Sequence, residues 1–182
     1  MRRRILLAAA AIPLTGCGFH PLYLPASGGR PGASTTGLAQ IYVPVIAERS
    51  GQQLRQALQR RTEGSGSGIA KIYELIASPA LAGEAIAIQR DTSTTRVRLV
   101  GTATWSLREL NLQHIVLLSG TSRIVDGYNI LNQQFFAADL ESEAATTRIM
   151  ESLADKIVTQ VAIYFDRQAP KPPVAPIPTP PT

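Results

Sequence analysis

The sequence predicts a single α+β domain: an antiparallel sheet of about four strands with two helices packed on one face, in strand–helix–strands–helix order. Three observations lead there. The hydrophobic period changes from 3.6 to 2 across the link Gly64-Ser65-Gly66-Ser67-Gly68. From Arg96 to Arg108 apolar and polar residues alternate almost without a fault, so one side of that strand is buried and the other wet. Finally, Ile149, Met150, Leu153, Ile157, Val161 and Tyr164 form one helical stripe near the end of the chain.

In chain order, Ile41-Tyr42-Val43-Pro44-Val45-Ile46 is a short β-type run, and Pro44 assigns it to a sheet edge. Ser50 with Gln53 three residues later has the form of a capping box, opening a helix that buries Leu54, Ala57 and Leu58. After the glycine-serine link, Ile69 to Ala77 and Glu84 to Arg90 read as one interrupted strand or two short ones, broken at Pro79 and Gly83. Asp91-Thr92-Ser93 is a turn. In the next strand Val97, Leu99, Gly101, Ala103, Trp105 and Leu107 share one face, opposite Arg96, Arg98, Thr102, Thr104, Ser106 and Arg108. A turn near Glu109-Leu110-Asn111 leads to a further strand from Gln113 to about Asp126, and Gly127 to Phe136 is a loop or edge segment. The closing helix is predicted from about Asp139 to Phe165, with Glu141 and Glu143 in a first turn where the macrodipole favours them.

The two ends have other compositions. Arg2, Arg3 and Arg4 precede an apolar run from Ile5 to Leu14, the layout of a secretory signal. Crossing a bilayer as a helix takes about 20 apolar residues, so this run is too short to remain as an anchor. Its end, Leu14-Thr15-Gly16-Cys17, resembles the bacterial lipoprotein signal (the lipobox) and contains the only cysteine of the chain. That resemblance implies cleavage between Gly16 and Cys17, a diacylglycerol on the Cys17 thiol and an acyl chain on its amine. The competing reading is an ordinary export signal, which would leave Cys17 an exported free thiol in need of explanation. The expected organisation is therefore a signal over 1–16, a lipidated N-terminus and extended tether over 17–38, a domain over 39–167 and a proline-rich tail over 168–182. From Ala169 to Thr182, 7 of 14 residues are proline, a composition that builds neither helix nor sheet.

Removing the leader takes three of the 18 basic residues, leaving 15 against 13 acidic ones and a net charge of +2. No basic run survives, which argues against nucleic acid as a partner. Of the basic residues left, 12 are Arg and 3 are Lys, and arginine is the better residue for bidentate contact with phosphate.

The residues of a catalytic site are not assembled in the sequence. His20 and His114 lack acidic or cysteine neighbours at ligand spacing, which argues against a metal or a metal cofactor. No serine stands between glycines on a strand-to-helix turn, and the glycine-serine link lacks the Lys-Ser/Thr ending of a phosphate loop. A binding surface is the stronger class. Arg96 and Arg98 lie two apart on one wet face, with Arg90 across the turn, and together could meet phosphate through charge-assisted hydrogen bonds; the alternative is an ordinary solvated sheet face. Trp105 points to the apolar side and reads as core.

The lipobox followed by Gly18-Phe19-His20-Pro21-Leu22-Tyr23 resembles the LPS-assembly lipoprotein family, LptE. The likeness continues in Ile86-Ala87-Ile88-Gln89-Arg90-Asp91, in Gly127-Tyr128-Asn129, and in Glu143-Ala144 and Leu153-Ala154-Asp155-Lys156-Ile157. It covers roughly residues 14–166 and omits the glycine-serine link and the proline tail. The resemblance implies a non-catalytic outer-membrane lipoprotein that plugs the LptD β-barrel, aids its assembly and serves lipopolysaccharide delivery to the outer leaflet. Lipopolysaccharide itself is then an expected ligand, with Arg90, Arg96 and Arg98 as candidate contacts. Gly18 after the cysteine fits sorting to the outer membrane. The alternative is an auxiliary lipoprotein of an envelope ABC lipid-transport system, a class of similar size and α+β character.

Overall fold

Three consecutive stretches of alternating residues lie side by side in the computed structural model, which describes residues 31–63, 68–88, 94–130 and 135–169. They are β2 (Tyr73–Ile88), β3 (Thr94–Glu109) and β4 (Val116–Asn129), each antiparallel to the next. Before them come α1 (Ala33–Ala39), β1 (Ile41–Tyr42) and α2 (Arg49–Thr62), and α3 (Phe135–Gln168) follows. The sheet order is β1-β2-β3-β4. Cys17, Arg90, the turn at 91–93, most of the glycine-serine link and residues 170–182 lie outside the described residues, while Gln168, placed in the proline-rich tail by the sequence, ends α3.

The sheet is mixed rather than antiparallel, because β1 pairs parallel to β2 through Ile41 with Tyr73 and Tyr42 with Glu74. The cause is connectivity. Adjacent strands joined through a helix that crosses one face of the sheet run in the same direction, and α2 is that crossover. The edge strand is also shorter than its apolar run: from Val43 onward the chain leaves the sheet, although Val43 and Ile46 stay buried.

Among the described residues there are three helices rather than two. Residues 33–38, read above as the end of an extended tether, belong to α1, which packs on α3 so closely that a Cβ on Gly37 would lie 2.5 Å from the Phe165 ring. The apolar signal there is a single buried leucine, Leu38, too little to mark a helix from pattern alone.

Helix α2 begins at Arg49 without a side-chain cap, so the predicted Ser50–Gln53 box is not formed. Its start is set instead by a tight entry: Glu48 has φ 65°, Gln52 Nε2 donates to the Ile46 carbonyl, and a Cβ on Gly51 would meet the Ile46 side chain. The predicted break in β2 is absent as well. Pro79 and Gly83 pair with Ala103 and Leu99 inside one strand. Beyond Glu74 the outer edge of β2 has no partner strand among the described residues, and an edge strand tolerates proline.

The core lies between the helices and one face of the sheet. Leu75, Ala77, Ala103, Trp105 and Leu107 meet Leu54 and Leu58 of α2 and Ile149, Met150, Leu153, Ile157 and Val161 of α3. Trp105 is core as expected, and its Nε1 donates to Ser122 Oγ at 3.2 Å. Helix α3 begins at Phe135, one turn earlier than predicted, so Glu141 and Glu143 fall outside its first turn. Glu143 pairs with Arg49 of α2, Glu151 with Arg60 and Arg61, and Asp155 with Arg61 at 2.5 Å. The Asp155 hydrogen bond, against partial desolvation, holds the Arg61 guanidinium above its usual value, with Glu151 adding to it.

Candidate functional site

Among the described residues the helices cover one face of the sheet and leave the other uncovered, and the uncovered face carries Ser, Thr and charged residues together with Ile76, Val100 and Val125. Across its middle run Ser78, Thr104 and Thr121, with Ser106 beside Ser119 and Thr102 beside Arg123. An ion pair stands at each end. Glu74 and Arg108 face each other in register and bond at 2.7 Å, with His114 Nδ1 4.0 Å from the same carboxylate. At the other end Glu84 faces Arg98, which donates from Nε at 3.1 Å and from Nη2 as well.

The structure brings two of the three predicted arginines together. Arg96 and Arg98 are exposed on the same face, and they line an open recess with Ile86, Val125, Asp126 and Gly127. Successive same-face residues stand about 7 Å apart along a strand, so two guanidinium groups can address neighbouring anionic oxygens. Among the described residues no carboxylate pairs with Arg96. Arg90 lies outside the described residues.

Sequence reasoning did not identify three neighbours that set the electrostatics of this recess. Glu84 is one: the Arg98 hydrogen bond, then its charge, hold the Glu84 carboxyl below its ordinary 4.5, with Arg123 contributing. A signal for that pair exists, since Glu84 and Arg98 are each seven residues from Asp91, the first residue of the predicted turn. Arg123 is the second, an exposed cation one strand over. Asp126 is the third. Burial opposes its ionisation, but the Arg148 hydrogen bond at 2.7 Å and the Gly127 N–H outweigh that and keep it below the ordinary 3.8. The result is a basic recess in which one arginine is partly occupied and the nearby carboxylates stay charged.

Among the described residues no three His, Cys, Asp or Glu side chains gather as metal ligands. No helix there is long and apolar enough to cross a membrane.

The fold is shared with solved structures. A candidate lipoprotein from Caulobacter crescentus CB15 superposes with a TM-score of 0.61 at 20% identity, covering 77% of this chain and 100% of that one. The rare lipoprotein B of Shewanella oneidensis superposes with a TM-score of 0.50 at 12% identity, covering 68% and 92%. No curated protein matches. A family model described as LptE, lipopolysaccharide-assembly, matches residues 38–161, more than half of the chain and all three long strands. The chain belongs to the LptE lipopolysaccharide-assembly family.

Proposed function

We propose that this protein is a non-catalytic outer-membrane lipoprotein, anchored through Cys17 on the periplasmic side, that plugs an LptD β-barrel and assists its assembly and the passage of lipopolysaccharide. The observation that carries the reading is the family match across residues 38–161. The open sheet face supports it. The lumen of a large outer-membrane barrel is polar and hydrated, and the Ser, Thr and charged residues that dominate the middle and ends of this face suit such a surrounding.

The recess has the chemistry for an anionic amphiphile. Arg96 and Arg98 offer planar donors suited to phosphate, while Ile86 and Val125, both about half exposed, stand beside them for acyl carbon. Glu84 is the internal competitor: a phosphate that binds Arg98 displaces a carboxylate already in place. The expected organisation has the leader removed before Cys17, residues 17–32, the part of the 17–38 tether that precedes α1, as the link to the lipid, and the proline-rich end outside the plug.

Affinity purification from detergent-solubilised membranes tests the central partner. The expected result is a stoichiometric barrel of LptD type; recovery of transporter subunits without a barrel would favour the ABC-system reading instead. The anchor has its own test. Cys17→Ala is expected to abolish acyl labelling, and labelling that persists would refute it.

A further inference from the structure

A sheet edge with free backbone groups pairs with any extended chain that reaches it, so folded proteins guard their edges with charge, proline, bulges or cover. The two edges of this sheet are guarded differently. The β4 edge carries Arg123 and Asp126, and Lys156 of α3 donates to the Arg123 carbonyl at 3.4 Å. On β2, beyond its two-residue pairing with β1, the guards stand only at the ends of a gap. Pro79 closes one end, and the register shift between Ala85 and Ala87 closes the other. Between them Ala80-Leu81-Ala82-Gly83-Glu84-Ala85-Ile86 is exposed at every residue and holds one charge. We propose that this edge takes up an extended segment of the barrel partner as an added strand.

The register identifies the groups that would bond. The Tyr73 N–H points away from β3 and donates to the Gln40 carbonyl, next to β1, at 3.2 Å. No register shift interrupts β2 from Tyr73 to Ala85, so alternation turns the N–H and C=O groups of Leu81, Gly83 and Ala85 outward as well. Pro79 belongs to the same series, where its missing N–H removes no bond to β3. Among the described residues no strand pairs with the outer side of those three positions.

The side chains describe the occupant. Ala80, Ala82, Gly83 and Ala85 project little on either face, so a strand with larger residues can lie alongside. Leu81, 38% exposed, gives that strand an apolar neighbour on the helix side. Glu84, on the other face, favours a cation beside it. The fitting segment therefore has an aliphatic residue beside Leu81 and a lysine or arginine beside Glu84. A second copy of this stretch supplies no such cation, since Glu84 is its only charge.

Strands of a closed barrel wall already have their backbone groups paired, so the segment comes from a loop or terminus of the barrel protein that turns into the lumen. Main-chain bonds then supply affinity and the flanking side chains supply selectivity. This pairing deepens the plug reading and rests on it.

Residue-resolved amide hydrogen exchange tests it, on the full chain alone and in the complex isolated with its barrel. In the free protein Leu81, Gly83 and Ala85 are expected to exchange fast and Ala82 and Glu84, bonded to β3, slowly. In the complex the three fast amides are expected to slow by at least about tenfold. Gly83→Ala, which keeps the N–H, should hold the barrel as the native protein does. Gly83→Pro, which removes an outward N–H, should hold it about tenfold more weakly at an unchanged thermal midpoint. Fast exchange at all three amides in a complex that retains its barrel overturns the added strand and leaves the plug reading intact. Isolation without any barrel overturns the plug reading and the strand with it. Slowing in the free protein that grows with its concentration overturns the partner segment in favour of a second copy.

Discussion

The two halves of β2 are made of similar residues in the same strand, yet they live in different environments. Leu75 and Ala77 are buried beneath the helices, whereas every residue from Ala80 to Glu84 and on to Ile86 is exposed. Alternation does not stop at the boundary, since Leu81, Leu99 and Val97 continue the apolar row. What stops is the cover. One half is held by packing and the other by strand pairing, and the half without cover is the one that presents the arginines. Alternation therefore identifies the face a residue points to, while helix placement decides how much of that face is dry.

Truncation separates the halves most strongly. Leu75→Ala is expected to cost about 2–5 kcal/mol in chemical denaturation, because the side chain is fully buried in the core beneath the helices. Leu81→Ala, 38% exposed, is expected to cost under ~1 kcal/mol. Equal losses would break the contrast.

Glycines give the next effect. A Cβ on Gly101 would overlap Ile149 of α3, so Gly101→Ala is expected to cost about 1–3 kcal/mol and lower the melting midpoint. On the bare half, a Cβ on Gly83 meets Leu99 Cδ2 at 3.4 Å, an ordinary contact, and Gly83→Ala should be neutral or stabilise by up to ~1 kcal/mol. A melt in which Gly83→Ala is the more damaging change would place the helices over the wrong half.

Charge effects are smaller and depend on pH. The folded value of Asp126 is below 3.8, so its contribution is complete above that ordinary value and is lost as pH falls through the lower folded value. Acid titration of Asp126→Asn should therefore show a smaller loss of stability below about pH 4 than the native protein. An unchanged acid limb would mean that the Arg148 pair contributes nothing. Glu84→Gln releases Arg98 from an exposed pair; stability should not change measurably, and lipopolysaccharide should bind more tightly. Weaker binding would show that Glu84 assists the ligand rather than competing with it.

Much of the frame was legible in the residues. The Arg96–Arg108 alternation and the stripe of α3 placed the two faces, and Trp105 fell on the correct one. The parallel β1 was not, because a two-residue strand carries almost no pattern and its direction follows from the crossover of α2. Nor was α1, whose only buried large side chain is Leu38. The continuity of β2 was obscured by Pro79 and Gly83, residues that break a central strand but are tolerated where one edge is open. At the recess, Arg96 and Arg98 could be found by their spacing, whereas Arg123 and Asp126 required the register of β4.

The covered half carries the core, and the proposed lipopolysaccharide contacts, Arg96 and Arg98, lie on the bare one. Lipopolysaccharide binding by Arg96→Ala/Arg98→Ala, measured beside its thermal midpoint, tests this most directly. The expected result is binding weakened by about tenfold or more, as for loss of a charge-assisted pair, with the midpoint unchanged. Binding equal to that of the native protein would contradict it and return the arginines to an ordinary solvated face.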